Sequence, residues 1–314
     1  MPRTRQQPVP VEVSAPAASA AASTPAQRVQ TAVLVAGIVV GVCMLGYYPA
    51  CELFAAWQRA QTATEVDDAA AAADDDTLEE LFAQAQAYNE LLAGLEPSIA
   101  AEDIWPYEDQ LSLTGHNTAF GYVIIPTISL TMPIYHGTSD AVLAAGAGHL
   151  EGSSLPIGGA STHSVITAHS GMSGMRAFDD IQQLEVGDVF GIKVLGRLIC
   201  YEVTGTETIL PDELDSLAIE AGEDLCTLVT CTPYGVNTHR YLVHGTRCDV
   251  PDDFDGSASS PLSSVLTSER LWPYLIGLAI ALALLVLVVA WRLHARHADG
   301  TDTTTPVPQD GGAA

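Results

Sequence analysis

Short apolar runs rich in β-branched and aromatic residues punctuate the middle of the chain, at 122–125, 130–135, 164–168, 189–194 and 198–203. Gly, Pro and Asp cut them at short intervals, a pattern that predicts many short strands. Two further runs, 225–230 and 241–243, flank Pro233, Gly235 and Asn237, and so predict antiparallel neighbours joined by an irregular loop. Short helices are predicted at 141–147 and 175–183. This describes a small all-β barrel or sandwich, which periodicity alone does not separate. Upstream, Leu78, Leu81, Phe82, Ala85, Tyr88, Leu91 and Leu92 recur every three or four residues. That spacing predicts an amphipathic helix starting near Asp76 or Thr77, with Thr77 and Glu80 placed as a capping box. Residues 96–117 lack periodicity and are predicted as a loop.

Two longer apolar runs bracket this region. Residues 32–48 would rise about 26 Å as a helix, and 271–291 about 31 Å, with Trp272, Tyr274 and Trp291 at the rims of the second. The first could be a cleaved signal, a lipoprotein signal ending at Cys51, or an anchor. Its long basic leader and the poor cleavage site at residues 48–50 favour an anchor. Arg28 precedes the first run, and Arg292 and Arg296 follow the second, which predicts cytoplasmic termini and an extracellular middle. The expected order is a disordered cytoplasmic tail (1–30), an anchor (31–50), an extracellular helical segment (51–118), a β domain (119–250), a flexible linker (251–270), a second span (271–291) and a second tail (292–314).

Charge narrows the function classes. Twelve Lys plus Arg against 38 Asp plus Glu leave a formal charge of −26, which repels nucleic-acid phosphates. Cys and His could ligate zinc, but the chain has no Cys-x-x-Cys or His-x-x-x-His pair, so neither a metal nor another cofactor is expected. Cys51, Cys200, Cys226 and Cys248 would lie outside the cell, where disulfides are permitted. Cys226 and Cys248, on the adjacent strands of one hairpin, form the expected bridge.

The chemistry centres on Cys231, at the end of one strand, and Arg240, at the start of the next. A cation beside a thiol favours the nucleophilic thiolate, and a guanidinium can hold an oxygen that becomes negative during attack. The residue types alone equally allow Cys231 to be a small packing residue and Arg240 a solvated strand end.

The stretch TLVTC (227–231), continued as CTPYGVNTHR (231–240), resembles the signature of sortases and in particular of class C, the pilin-polymerising sortases. The likeness continues through GYVIIPTISLTMPIYHGTS, GHLEGSSLPIGG and THSVITAHSG, and covers roughly residues 88–247. It implies a mainly β fold, an eight-stranded barrel with short helices, preceded by a helical segment and carried between two transmembrane helices. It also implies a cysteine transpeptidase acting on LPxTG-type sorting signals, with Cys231 as nucleophile, Arg240 as the essential cation and pilin lysines as acceptors. His169, in TAHSG, is similar to the family's TGHxG motif, with Ala168 in place of Gly, and takes the role of proton carrier. In class C, an Asp-Pro-aromatic lid covers the site. Asp103 and Trp105 fall at those positions, although Ile104 replaces the usual Pro. A housekeeping sortase acting on peptidoglycan and a non-catalytic membrane-anchored adhesion domain are the alternatives.

Overall fold

The computed structural model describes residues 25–113, 115, 118–171, 176–257 and 271–298. The expected tails up to residue 24 and from 299, and the linker from 258 to 270, lie outside the described residues. The chain forms two compact units, Leu45–Leu275, and Met1–Met44 with Ile276–Ala314.

The larger unit is built on a closed barrel whose strands are β1 (Gly121–Ile125), β2 (Leu130–His136), β3 (Ala147–His149), β4 (Thr162–Thr167), β5 (Val189–Val194), β6 (Arg197–Ile209), β7 (Asp224–Thr232) and β8 (His239–Cys248). They are ordered β1-β2-β3-β4-β7-β8-β6-β5 around the barrel, and β5 closes on β1. Closure removes exposed sheet edges. Val123, Ile125, Met132, Ile134, Ile166, Phe190, Ile192, Tyr201, Leu228 and Val243 fill the interior. Every residue of β1 is buried, because helix α1 (Pro25–Ala72) covers its outer side: Ala63 and Val66 pack on Tyr122 and Ile124. Two-sided burial explains why β1 reads as a continuous apolar run, not an alternating one. Asp67 of α1 adds polar ties, accepting from Tyr122 Oη at 2.7 Å and Lys193 Nζ at 2.9 Å.

Several elements depart from expectation. The helix that begins with the first apolar run does not end with it near residue 50; α1 continues through Pro49 to Ala72. Helix α2 (Asp75–Leu92) is capped by Asp74, whose carboxylate accepts from Thr77 N–H at 2.8 Å, so Thr77 is the third helical residue and not the cap. Helix α3 (Asp140–Ala145) stops early, and Ala147–His149 form β3, parallel to β2. Gly148 permits this, since a Cβ there would lie 2.2 Å from the Gly137 carbonyl oxygen. Of the helix expected at 175–183, residue 175 is not described and only Ile181–Gln183 make a 3-10 turn. The backbone N–H groups of Arg176 and Phe178 are instead taken by Glu52 and the His169 carbonyl. β6 runs six residues beyond Val203, its polar end held by β8 across a bulge between Val203 and Gly205. The supposed linker begins as packed chain, with Phe254 lying against Gly191.

The disulfide expectation is also corrected. Cys226 points into the barrel and faces Gly245, whereas Cys248 lies opposite Cys200, and all six cysteines are free.

The segment between α2 and the barrel is fastened by Tyr107. Its hydroxyl lies 2.9 Å from His149 Nδ1 and accepts from Gly137 N–H at 3.0 Å, while His149 Nε2 donates to the Ser154 carbonyl at 2.8 Å. Burial holds the His149 imidazole down at about 4, against an ordinary 6.5. Between these values the unfolded chain binds the extra proton, so stability rises with pH across that window and is lost as pH falls through it. The expected loss is about 3 kcal/mol. Melting temperatures measured from pH 7 to pH 4 should therefore fall more steeply for the native chain than for His149→Gln.

The remaining long apolar helix is α4 (Trp272–Ala298). The stretches Ala32–Ala72 and Trp272–Trp291 are each long and apolar enough to cross a membrane.

Candidate active site

Strand order brings the ends of β4, β7 and β8 side by side. Side chains alternate along a strand, and since Leu228 and Val243 point inward, Cys231 and Arg240 share the outer face. They are direct register partners, Cys231↔Arg240. β4 runs parallel to β7 with Thr167 beside Val229, so His169, two residues on, comes abreast of Cys231. All three side chains are half-buried. Register thus brings residues 169, 231 and 240 side by side at adjoining strand ends.

Backbone contacts fix this row. Ala168 N–H donates to the Val229 carbonyl at 3.1 Å, and the Thr230 hydroxyl donates to the Ala168 carbonyl at 2.9 Å. The Ser170 hydroxyl donates to the carbonyl oxygen of Cys231 itself. On the far side of His169, Gly171 N–H donates to Asp179 Oδ1 at 2.7 Å, and Phe178 N–H donates to the His169 carbonyl at 3.0 Å. Arg240 Nη1 donates to the carbonyls of His239 at 3.2 Å and Asn237 at 3.4 Å. No carboxylate pairs with Arg240 among the described residues. Its guanidinium charge is thus available to an anion formed at the row.

Behind the His169 loop lies a buried charge network. Arg59 donates to Glu52 at 3.0 Å and to the Arg176 carbonyl at 2.7 Å. Arg176 donates through its backbone to Glu52 at 2.8 Å, and through its side chain to Asp180 at 2.6 Å and to the Ile128 carbonyl at 2.7 Å. The four charged residues are at most 6% exposed. The network anchors the chain on one side of His169 to α1.

The outer face beneath the row is apolar. Val165, Val229, Leu242 and Ile209 form one cluster, with Leu150 and Leu217 against it. Leu150, Val165 and Leu217 also line a cavity of about 550 Å³, together with Leu92, Leu95 and Leu214. The apolar side of this cavity is thus continuous with Val229, two residues before Cys231, while Glu151, Ser153 and Ser161 line its polar side. Farther along the same face, His163 Nε2 lies 2.7 Å from Thr227 Oγ1, which lies 3.0 Å from His244 Nδ1. His163 Nδ1 contacts the Ala218 carbonyl at 2.9 Å. These contacts occupy both ring nitrogens of His163 within the sheet.

Asp103 and Trp105 lie in a segment held by α2. Trp105 N–H donates to Gln84 at 2.9 Å, Gln84 donates to the Asp103 carbonyl at 3.3 Å, and Gln110 donates to the Trp105 carbonyl at 2.8 Å. The Trp105 ring packs on the main core, while Asp103 is exposed and not ion-paired with Arg240. Ser170, Thr230, Asp179 and the charge network are positions that no local sequence pattern marks. The one available signal was the seven-residue separation of Glu52 and Arg59, which places both on one helix face.

A closed barrel with Cys, Arg and His abreast on its outer face defines the class, and comparison with known proteins names it. The sortase-domain family model matches residues 123–248. Sortase C1 from Streptococcus agalactiae is 40% identical, with a TM-score of 0.56 over 62% of this chain and 100% of that one. Clostridium perfringens sortase C, solved with a C-terminal cell wall sorting motif, is 38% identical, with a TM-score of 0.54 over 60% of this chain and 99% of that one. Sortase A of Bacillus anthracis is 27% identical over 40% of this chain and 58% of its own length, so the chain spans a little over half of that curated relative. The chain belongs to the sortase family, and its structural neighbours are class C sortases.

Proposed function

We propose that this protein is a membrane-anchored cysteine transpeptidase that polymerises pilins. The observation that carries the reading is the register pair Cys231↔Arg240 with His169 abreast, above an apolar face suited to an extended peptide. Cys231 Sγ attacks the carbonyl carbon at the scissile bond of an LPxTG-type sorting signal. Arg240 supplies a fixed positive charge to the thiolate and then to the oxyanion. His169 gives its proton to the departing amine, leaving a thioester on Cys231, and then takes a proton from the incoming amine, whose attack expels the Cys231 thiolate and restores the starting pair. The thioester retains the energy of the broken peptide bond, so the exchange needs no nucleotide. In this reading a pilin lysine is the acceptor amine, by likeness to the class C neighbours.

The two apolar helices anchor the enzyme. With arginines beyond both, the termini are cytoplasmic and the barrel faces outward. Asp103 and Trp105 act as the lid over Cys231. Their likeness to the class motif supports this, whereas their contacts do not: the Trp105 ring packs on the main core, and Asp103 is exposed and not ion-paired with Arg240. Trp105→Ala should then speed alkylation of Cys231 by a thiol reagent, and an unchanged rate contradicts the lid assignment.

The likeness to two curated sortase A proteins keeps a housekeeping role in contention. Purified full-length enzyme given a sorting-signal peptide together with a lysine-bearing pilin domain and a peptidoglycan-type amine separates the roles. Isopeptide-linked pilin is the expected main product; predominant transfer to the peptidoglycan amine overturns the pilin assignment.

A further inference from the structure

The mechanism above uses one thiol, yet the barrel carries three more. Cys226 is enclosed in the interior. The other two occupy one spot: Cys200 of β6 and Cys248, the last residue of β8, are direct register partners. Partners on antiparallel strands point to the same face, with Cα atoms about 4.5–5.5 Å apart. Disulfides span Cα separations of about 4.4–6.8 Å, so the strand pairing already supplies the required approach. Tyr201 and Val243 point inward, which puts both cysteines on the outer face. Cys200 is fully buried and Cys248 half-buried.

We propose that Cys200 and Cys248 are an oxidation site that forms a cross-strand disulfide in the exported protein. The proposal rests on the reading that the barrel faces outward; it does not depend on the transpeptidase assignment. Cys248, the accessible partner, attacks the disulfide of a donor R–S–S–R, giving Cys248–S–S–R and one R–SH. Cys200 then attacks the Cys248 sulfur, giving the Cys200–Cys248 bond and a second R–SH. Two cysteine thiols are oxidised, the donor gains both electrons, and both protons leave on its thiols. A donor of the dithiol oxidoreductase class supplies the disulfide, and glutathione disulfide does so more slowly.

Two consequences follow from the position. Burial pushes the Cys200 thiol up to about 11, with Cys248 adding to the effect, and burial also raises Cys248, helped by Glu202. Both are therefore poor nucleophiles in the reduced state, and spontaneous oxidation is slow without a catalyst. The bond would also clasp the end of β8 where the chain leaves the barrel toward Phe254, about 26 Å along the strand from Arg240. It would pin strand register on one side of the Val203/Gly205 bulge while leaving the catalytic row untouched.

The test uses the full-length protein extracted from membranes in the presence of N-ethylmaleimide, with a second sample incubated with glutathione disulfide. Non-reducing peptide mapping should show one linked pair, Cys200 with Cys248, and alkylated Cys231. Dithiothreitol should lower the melting temperature of the native chain by roughly 8–16 °C. C200S and C248S should show that loss already and not respond to the reductant. Alkylation of both cysteines in both samples overturns the proposal, as does a linkage to any other cysteine. Because C231A lacks the nucleophile but keeps the pair, its linked peptide should persist, so failure of the transpeptidase reading and failure of this one are separately visible.

Discussion

Arg240→Ala is expected to lower the rate of thioacyl formation by roughly 10²–10³-fold, the loss typical of removing one oxyanion donor from an active site. Arg240→Lys keeps the charge but loses the planar fork, and should fall between the alanine variant and the native enzyme. Stability should hardly change, because the guanidinium is half-buried and bonds only the carbonyls of His239 and Asn237. A single-turnover measurement with a sorting-signal peptide, paired with a melting curve, reads both quantities. A rate within a few-fold of the native enzyme would remove Arg240 from the chemistry, while a large loss of stability would make the rate uninformative.

Arg59→Ala is expected to cost roughly 3–5 kcal/mol of stability, the range for breaking a buried ion pair by deleting one partner. The substitution leaves Glu52, 2% exposed, without its side-chain cation, and frees the Arg176 carbonyl from its donor. Because the same arginine holds the chain that leaves His169, turnover should fall with stability. Denaturant unfolding of the full chain in detergent checks the first effect. The pair E52Q/R59M should be less destabilised than the sum of its single changes, since no lone charge then stays buried. Single changes that each cost under about 1 kcal/mol would mean that water reaches the network.

These two cases mark the boundary of what the sequence reveals. Cys231, His169 and Arg240 each stand at a strand end next to turn residues, so local pattern and motif both point to them. Their side-by-side placement follows once β4, β7 and β8 are adjacent. The contacts that fix the row join residues far apart in the chain: Arg59 to Arg176 across 117 positions and Glu52 to Arg176 across 124. No periodicity carries that information. The same limit applies to secondary structure. β1, β2 and β5 are legible because their apolar content is dense, whereas β3 is three residues long and is made a strand by its pairing with β2. The polar end of β6 is likewise set by β8, and the Cys248 partner by register, not by proximity within the hairpin. The position of α2 was legible, but its cap was not, because Asp74, Thr77 and the acidic residues between them offer competing N-terminal signals.

The intact mass of the full-length enzyme after brief exposure to an LPxTG-type peptide, with no amine acceptor present, tests the central claim most directly. A mass gain equal to the peptide less its leaving fragment is expected, mapped to Cys231 and reversed by adding an amine. An unchanged mass, with Trp105→Ala unmodified as well, or an adduct on another cysteine, would contradict that claim.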